Sequence, residues 1–415
     1  MMEKVKNAPL LRFLEFEGEW SFKTLRNLSK DGFSNGVFND PKKVGKGYRL
    51  INVKDMFVGD IINIENLTLI DLDEKEFLKN QVLYGDILFT RSSLVKEGIA
   101  ISNVNLSNEE DLTYDGHLIK MRPSFKLIHP LFLSYNLSTS NSRRQLIVRG
   151  KTTTMTTIGQ EDIGSVVIYF PTLLEQQKIA SFLTTVDDKI QQLSKKKTWL
   201  EQYKKGLMQQ IFSREIRFKP DRPSGGDDQG NEYPDWEEKK AKDIFKNHTN
   251  KNHDGDLPIL AITQDQGAVR RDTIGIDIRS SEASVKSYKI VEVGDFIISL
   301  RSFQGGIEYS NVMGICSPAY TILKPKTELS TEFFKYYLKK ESFIQQLSNS
   351  VIGIRDGKQI SFDVFSGMKL PFPCLEEQTK IANFLLVIDD KINLVSRQLE
   401  QTRQYKKGLL QQMFV

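Results

Sequence analysis

Cysteine is nearly absent: the 415 residues hold two, Cys316 and Cys374. That excludes a disulfide-stapled secreted framework and a cysteine-rich zinc site. Histidine is almost as scarce, and His117, His129, His248 and His253 show no metal-ligand spacing. No apolar run approaches the roughly 20 residues that a membrane-spanning helix needs. The first 20 residues carry Glu3, Glu15, Glu17 and Glu19 around no apolar core, which argues against a signal peptide. The expectation is a cytoplasmic protein with no membrane contact. Motifs for cofactor chemistry are missing as well. No glycine-rich fingerprint follows a strand and opens a helix, and no G-x-x-x-x-G-K-[ST] loop exists to cradle a nucleotide. Nor is there an Asn-Pro-Pro-aromatic or Asp-Pro-Pro-aromatic tetrapeptide of the kind that holds an amine for methyl transfer. No ATP hydrolysis, cofactor or metal site is expected of this chain.

What is present describes a folded chain. Hydrophobic residues make up 39% and charged residues 27%, a globular balance, and the length allows two to four domains. The net charge of +5 and a pI near 8.8 permit nucleic-acid binding without demanding it. The clustering of the basic residues therefore matters more than their sum.

The chain is written twice. Pro171–Ser213 and Pro373–Val415 align without a gap and are identical at 23 of 43 positions, far beyond chance. The shared signatures are KIA-x-FL, DDKI and QYKKGL-x-QQ-x-F. Fainter echoes lie upstream. Trp20 and Trp236 each open a segment and each follows an Arg-Phe pair, Arg12-Phe13 and Arg217-Phe218. Gly85-Asp86 with its apolar strand and Arg91-Ser92 recurs as Gly294-Asp295 with Arg301-Ser302. A period of about 200 residues is a duplicated domain pair, not a solenoid.

Both repeated segments carry apolar residues at spacings of four and three, the mark of a coiled-coil seam. The seam comprises Ile179, Leu183, Val186, Ile190 and Leu193 in the first copy, and Ile381, Leu385, Ile388, Ile392 and Val395 in the second. Lys197 and Lys204 interrupt the first, Thr402 and Lys406 the second. A helix of about 38 residues is roughly 57 Å long, and alone it would leave its seam wet. Antiparallel pairing of the two suits the duplication and would put a variable module at each end. Leu11-Arg12-Phe13 resembles Ile216-Arg217-Phe218, so the chain start is expected against the end of the last helix. The domain reading is 1–173, a first variable module; 174–213, the first helix; 214–374, a linker (Lys219–Pro234, a surface loop) and second module; and 375–415, the second helix. The modules read as mixed and strand-rich, with strands expected at Tyr48–Val53, Ile61–Ile64, Asp86–Thr90, Gly98–Ser102 and His117–Met121, and a helix at His129–Ser140. The fold class is α/β, of the α+β kind.

Basic and polar clusters stand out in the modules. Arg143, Arg144, Arg149 and Lys151 surround Gly150 and run into Thr152 and Thr153. Arg355, Lys358 and Gln359 occupy a comparable place in the second half, and Arg270-Arg271 follow two glutamines. Cations with nearby hydroxyls and amides suit phosphates and base edges together. Each cluster alone reads first as solvated surface; recurrence ahead of both helices raises the functional reading. Arg91, Ser92, Arg301 and Ser302, each after an apolar strand, are further candidates, with structural ion pairing the competing reading. The pairs Asp187-Asp188 and Asp389-Asp390 sit mid-helix and read as solvated charge or partner contacts rather than metal ligands.

With two variable modules, each followed by a KIA-x-FL, DDKI, QYKKGL-x-QQ-x-F helix with an Glu-Gln lead-in (Glu175-Gln176, Glu377-Gln378), the whole chain resembles the specificity subunit of Type I restriction-modification systems. The resemblance implies two target-recognition domains that read the halves of a split double-stranded DNA sequence, and an antiparallel coiled coil that sets the gap. It implies two methyltransferase subunits that use S-adenosylmethionine on adenine N6, and restriction subunits that use ATP and Mg2+. The modules share too little to read the same half-sequence, so a non-palindromic target is expected. The competing readings are a stand-alone nuclease or methylase, for which no acidic metal site or cofactor loop is visible, and a coiled-coil adaptor without a DNA role, which leaves the recurrent basic clusters unexplained.

Overall fold

Two 40-residue-scale helices without internal proline and many short, turn-bounded strands divide the chain as their periodicities dictate. The computed structural model describes residues 7–59, 61–221, 232–274, 285–350 and 360–415. They form two compact units: Met1–Ser194 with Arg397–Val415, which is discontinuous in sequence, and the continuous Lys195–Ser396. Each unit thus combines one module with half of each long helix.

In the first unit the strands are β1 (Ser21–Thr24), β2 (Ser29–Asn35), β3 (Val44–Ile51), β4 (Thr68–Ile70), β5 (Ile87–Thr90), β6 (Ser92–Ser93), β7 (Ser102–Val104), β8 (Leu112–Tyr114) and β9 (Leu118–Pro123). Helices α1 (Pro130–Ser138) and α2 (Ser140–Arg149) follow, then β10 (Lys151–Thr152), β11 (Thr156–Thr157), β12 (Val167–Phe170) and the long α3 (Leu173–Phe212). The central sheet has the order β2-β9-β5-β7, flanked by β4-β3-β8 and the pair β1-β12. The second unit contains β13 (Glu237–Lys240), β14 (Phe245–His248), β15 (Leu260–Thr263), β16 (Gly267–Arg270), β17 (Lys289–Val291), β18 (Phe296–Ile298), β19 (Glu308–Tyr309), β20 (Gly314–Cys316) and β21 (Thr321–Pro325). Helices α4 (Thr331–Tyr337) and α5 (Glu341–Asn349), strand β22 (Lys369–Phe372) and the long α6 (Leu375–Gln412) complete it. Its sheet β14-β21-β18-β19 and pair β13-β22 repeat the first unit's topology, so the duplication extends through the modules as well as the helices.

Some local expectations shift by a few residues. Gly98–Ser102 is not a strand: Lys96–Gly98 is a 3-10 turn and Ala100 has φ 50°, so pairing starts only at Ser102. Ile61–Ile64 contributes a single bridge, Ile61 to Val104. The helix expected over His129–Ser140 ends at Ser138, because Thr139 turns extended and its hydroxyl caps α2 through the Ser142 N–H.

Within each unit, the front half of one long helix packs on the rear half of the other, which makes the coiled coil antiparallel. Ile179, Leu183 and Val186 join Leu409 and Met413 in the first core; Ile211 joins Ile381, Leu385 and Ile388 in the second. The polar interruptions of the seam have partners here. Lys406 Nζ lies 2.6 Å from Asp187 Oδ1, whose other oxygen accepts from Tyr135 Oη at 2.7 Å. Lys204 meets Asp389 at 2.6 Å, and Tyr336 Oη donates to Asp389 at 2.6 Å. Asp187 and Asp389 are therefore tied within the fold, not solvated, while Asp188 and Asp390 are exposed.

The lead-in motifs also find one another. Arg12 pairs with the buried Glu175 at 2.8 Å, and Arg217 with the buried Glu377 at 2.9 Å. Leu11 N donates to Gln412 O at 2.8 Å, so the chain start does sit on the end of the last helix; Ile216 N donates to Gln210 O in the matching place at 3.2 Å. Trp20 packs edge-on against Phe132 and Phe414, and Trp236 against Phe333. Among the described residues no helix is long and apolar enough to cross a membrane, and no group of three His, Cys, Asp or Glu could hold a metal ion.

Candidate nucleic-acid interface

In the first unit, the Gly85-Asp86 turn launches the buried strand β5. Gly85 has φ 84°, and a Cβ there would strike Phe125 and Pro130, so glycine is required. The buried Asp86 accepts from Leu83 N and pairs with Arg122 at 2.8 Å. Strand β5 then delivers the exposed Arg91 to the surface, and β6 begins at once. Strand β6 pairs with β11 and β11 with β10, giving the sheet β10-β11-β6. Ile158 N donates to Arg91 O at 3.1 Å. Arg91 and Ser92 on one side of β11, and Lys151, Thr152 and Thr153 on the other, some 60 residues apart in sequence, thus come together at one small sheet. Thr152 and Thr156 share a hydroxyl contact at 3.0 Å, while Lys151, Thr152 and Thr153 are exposed. Beside this sheet lies a groove of about 400 Å3 lined by Asn35, Arg91, Ile119, Lys151 and Gly159–Asp162.

The three arginines read from sequence as a basic loop are instead on helix α2. Arg143 points inward. Its guanidinium donates to the carbonyls of Ala100 (2.6 Å), Ile99 (2.6 Å) and Glu97 (2.9 Å), and burial lowers its pKa from the ordinary value. It braces the segment behind β6. Arg149 is held by Ser165 Oγ at 2.7 Å and Gln145 O at 2.8 Å; Arg144 is exposed.

The second unit places its candidates differently. Arg301 is exposed like Arg91, but Ser302 is buried, its hydroxyl accepting from Ser299 N at 2.8 Å. Arg270 pairs with Asp272 at 2.6 Å on the surface, and Arg271 N is tied to Ile259 O at 3.0 Å. Arg355, Lys358 and Gln359 lie outside the described residues. A feature the sequence reading missed is Glu308 on β19. It is 1% exposed, its Oε2 lies 2.6 Å from Lys339 Nζ, and its Oε1 has no hydrogen-bond partner among the described residues. Burial pushes its pKa up to about 7, with Lys339 opposing. It opens on a cleft of about 1030 Å3 that Gln264, Gln266, Gln304 and Lys339 also line. The corresponding place on β7 holds Asn103, a neutral residue fully hydrogen-bonded to Gly59 O and Val104 N. Only a pairing table of the two sheets shows that correspondence; no local motif marks Glu308.

The geometry agrees with comparisons to known proteins. The family model described as the Type I restriction modification DNA specificity domain matches residues 37–202 and again 233–403. The chain is 25% identical to the putative type I restriction enzyme MjaX specificity subunit of Methanocaldococcus jannaschii, over 98% of this chain and 95% of that one. It is 24% identical to the type I restriction enzyme MjaVIII specificity subunit of the same organism, over 80% and 86%. Among solved structures, the S subunit of a Type-I restriction-modification system from M. genitalium superposes with a TM-score of 0.58 at 15% identity, covering 98% of this chain and 99% of that one. A chain from a structural study of complex assembly and conformational transition of the type I R-M system gives 0.56 at 16% identity, covering 94% and 96%. These two likenesses concern the fold. With two DNA specificity domains, each joined to its own copy of a coiled-coil helix, the chain belongs to the specificity subunits of Type I restriction-modification systems.

Proposed function

We propose that this chain is the non-catalytic address reader of a cytoplasmic Type I complex. Its two modules read the two unlike halves of a bipartite, non-palindromic DNA target. Two adenine-N6 methyltransferase subunits dock on it, with two ATP-dependent restriction subunits in the full complex. S-adenosylmethionine, ATP and Mg2+ belong to those partners. The observation that carries the reading is the gathering of the exposed Arg91, Lys151, Thr152 and Thr153, with the half-buried Ser92, at one small three-stranded sheet.

The two-partner reading rests on the helices. Gln202, Tyr203, Lys205, Gly206, Gln209 and Gln210 recur as Gln404, Tyr405, Lys407, Gly408, Gln411 and Gln412, mostly on the exposed surface. Core packing does not require identity at exposed positions. A helical glycine costs about 1 kcal/mol against alanine, yet a Cβ at Gly206 or Gly408 would meet nothing within 4 Å. A close approach by a second molecule, made twice, accounts for both.

Co-expression with the cognate methyltransferase subunit, followed by sequencing that reports N6-methyladenine, tests the proposal. Methylation at one split motif with a fixed gap and unlike halves is the expected result, lost when either component is omitted. Methylation by this chain alone, or identical half-sites, would contradict it.

A further inference from the structure

The groove in the first unit contains an amide whose direction is set by the fold. Gln160 follows the Ile158-Gly159 turn after β11, and Gly159 N is held by Asp162 Oδ2 at 3.3 Å. Gln160 Nε2 donates to Asn35 Oδ1, and Asn35 Nδ2 donates to the Gly116 carbonyl at 3.3 Å. A main-chain carbonyl can only accept. Asn35 must therefore turn its nitrogen to Gly116 and its oxygen to Gln160, and Gln160 must turn its nitrogen to Asn35. An anchored backbone atom thus fixes the sense of two successive amides.

What Gln160 keeps free is Oε1 beside its second N–H, an acceptor next to a donor, in the groove that Arg91 and Lys151 share. That pair complements adenine in the major groove, where N6 donates and N7 accepts. Guanine shows two acceptors there and would set O6 against Oε1. Glu161 and Asp162 also line the groove, Asp162 lying 3.5 Å from Lys151. Two carboxylates disfavour a phosphate and leave the uncharged base edge as the fitting occupant.

We propose that Gln160, oriented by Asn35, reads an adenine in the half-site addressed by the first module. Gln160 touches the base; Asn35 is a positioning residue. The inference rests on the reading of this sheet and its groove as DNA-facing.

The test uses the full chain with its methyltransferase subunit and maps the methylated motif for each variant. Gln160→Leu should relax one adenine position in one half-site, with preference falling about ten-fold or more, while the other half-site and the gap stay as in the wild type. Gln160→Glu should lose the adenine preference, since it cannot donate to N7, and should favour cytosine, whose N4 donates. Asn35→Leu should relax the same single position as Gln160→Leu, a change that a general packing defect does not produce. An unchanged motif in Gln160→Leu, or equal relaxation at several positions, overturns this inference alone. A wild-type complex that methylates nothing overturns the DNA-reading role together with it.

Discussion

At Arg143 both terminal nitrogens of the guanidinium donate to main-chain carbonyls, whereas Arg91 reaches solvent from the end of a buried strand. Two arginines that look alike in sequence should therefore fail differently. Arg143→Ala strands three carbonyls and should cost about 2–3 kcal/mol of stability, visible as a lower Tm, with DNA affinity falling only as the fold loosens. Arg91→Ala should leave stability within about 0.5 kcal/mol of wild type, with Tm nearly unchanged, and weaken DNA binding directly. A Tm loss for Arg91→Ala as large as that for Arg143→Ala would refute the distinction. Glu308 makes a prediction of a different kind. Its proton is held more tightly in the folded chain than in the unfolded one, because burial raises its pKa to about 7 from 4.5. Its contribution to stability is greatest at low pH, falls as pH rises from about 4.5 to 7, and is flat above. Glu308→Gln has no proton to lose there. The stability of the variant relative to wild type should rise between pH 5 and pH 8, by up to about 3 kcal/mol. Thermal melts across that range check it, and a pH-independent difference would be the contrary result.

The elements show how much local pattern can say. Both long helices were legible from the four-three spacing of Ile179, Leu183, Val186 and their copies, because a helix writes its contacts within one turn of itself. The meaning of Lys204 and Lys406 was not legible. They look like flaws in the seam, and their partners Asp389 and Asp187 lie about 200 residues away. The same limit hid the candidate interface. Arg91-Ser92 and Lys151–Thr153 each stood out as polar clusters, but two-residue strands have no period to read, so their pairing through β11 became visible only in three dimensions. Gly206 and Gly408 belong to this scale too. Alanine at either should stabilise the isolated chain by about 0.5–1 kcal/mol, since nothing in the fold opposes the added methyl. The same change should weaken association with the methyltransferase subunit, measured by calorimetry. Unaltered association would leave the repeated glycines without the partner proposed for them.

The whole molecule carries a net charge of +5 over 415 residues, and many of its described cations are already answered by carboxylates, among them Arg12, Arg49, Arg122, Arg217 and Arg270. The 53 acidic residues nearly balance the 58 Lys and Arg, so the net attraction of the chain for DNA is weak. Because each phosphate neutralised adds about 0.9 to the slope of log K against log salt, the chain alone should bind duplex DNA weakly, with a shallow slope between 50 and 200 mM salt. The complex with its methyltransferase subunits should bind far more tightly and with a steeper slope, the added cations coming from the partners. Removing Arg91 and Lys151 together should lower the slope of either species by up to about 2, whereas Gln160→Leu should change sequence preference and leave the slope unaltered. Fluorescence anisotropy on target and scrambled duplexes separates these outcomes. If the isolated chain gave the same steep slope as the complex, its own modules would supply the phosphate contacts, and the division of labour between base reading here and backbone neutralisation by the partners would have to be given up.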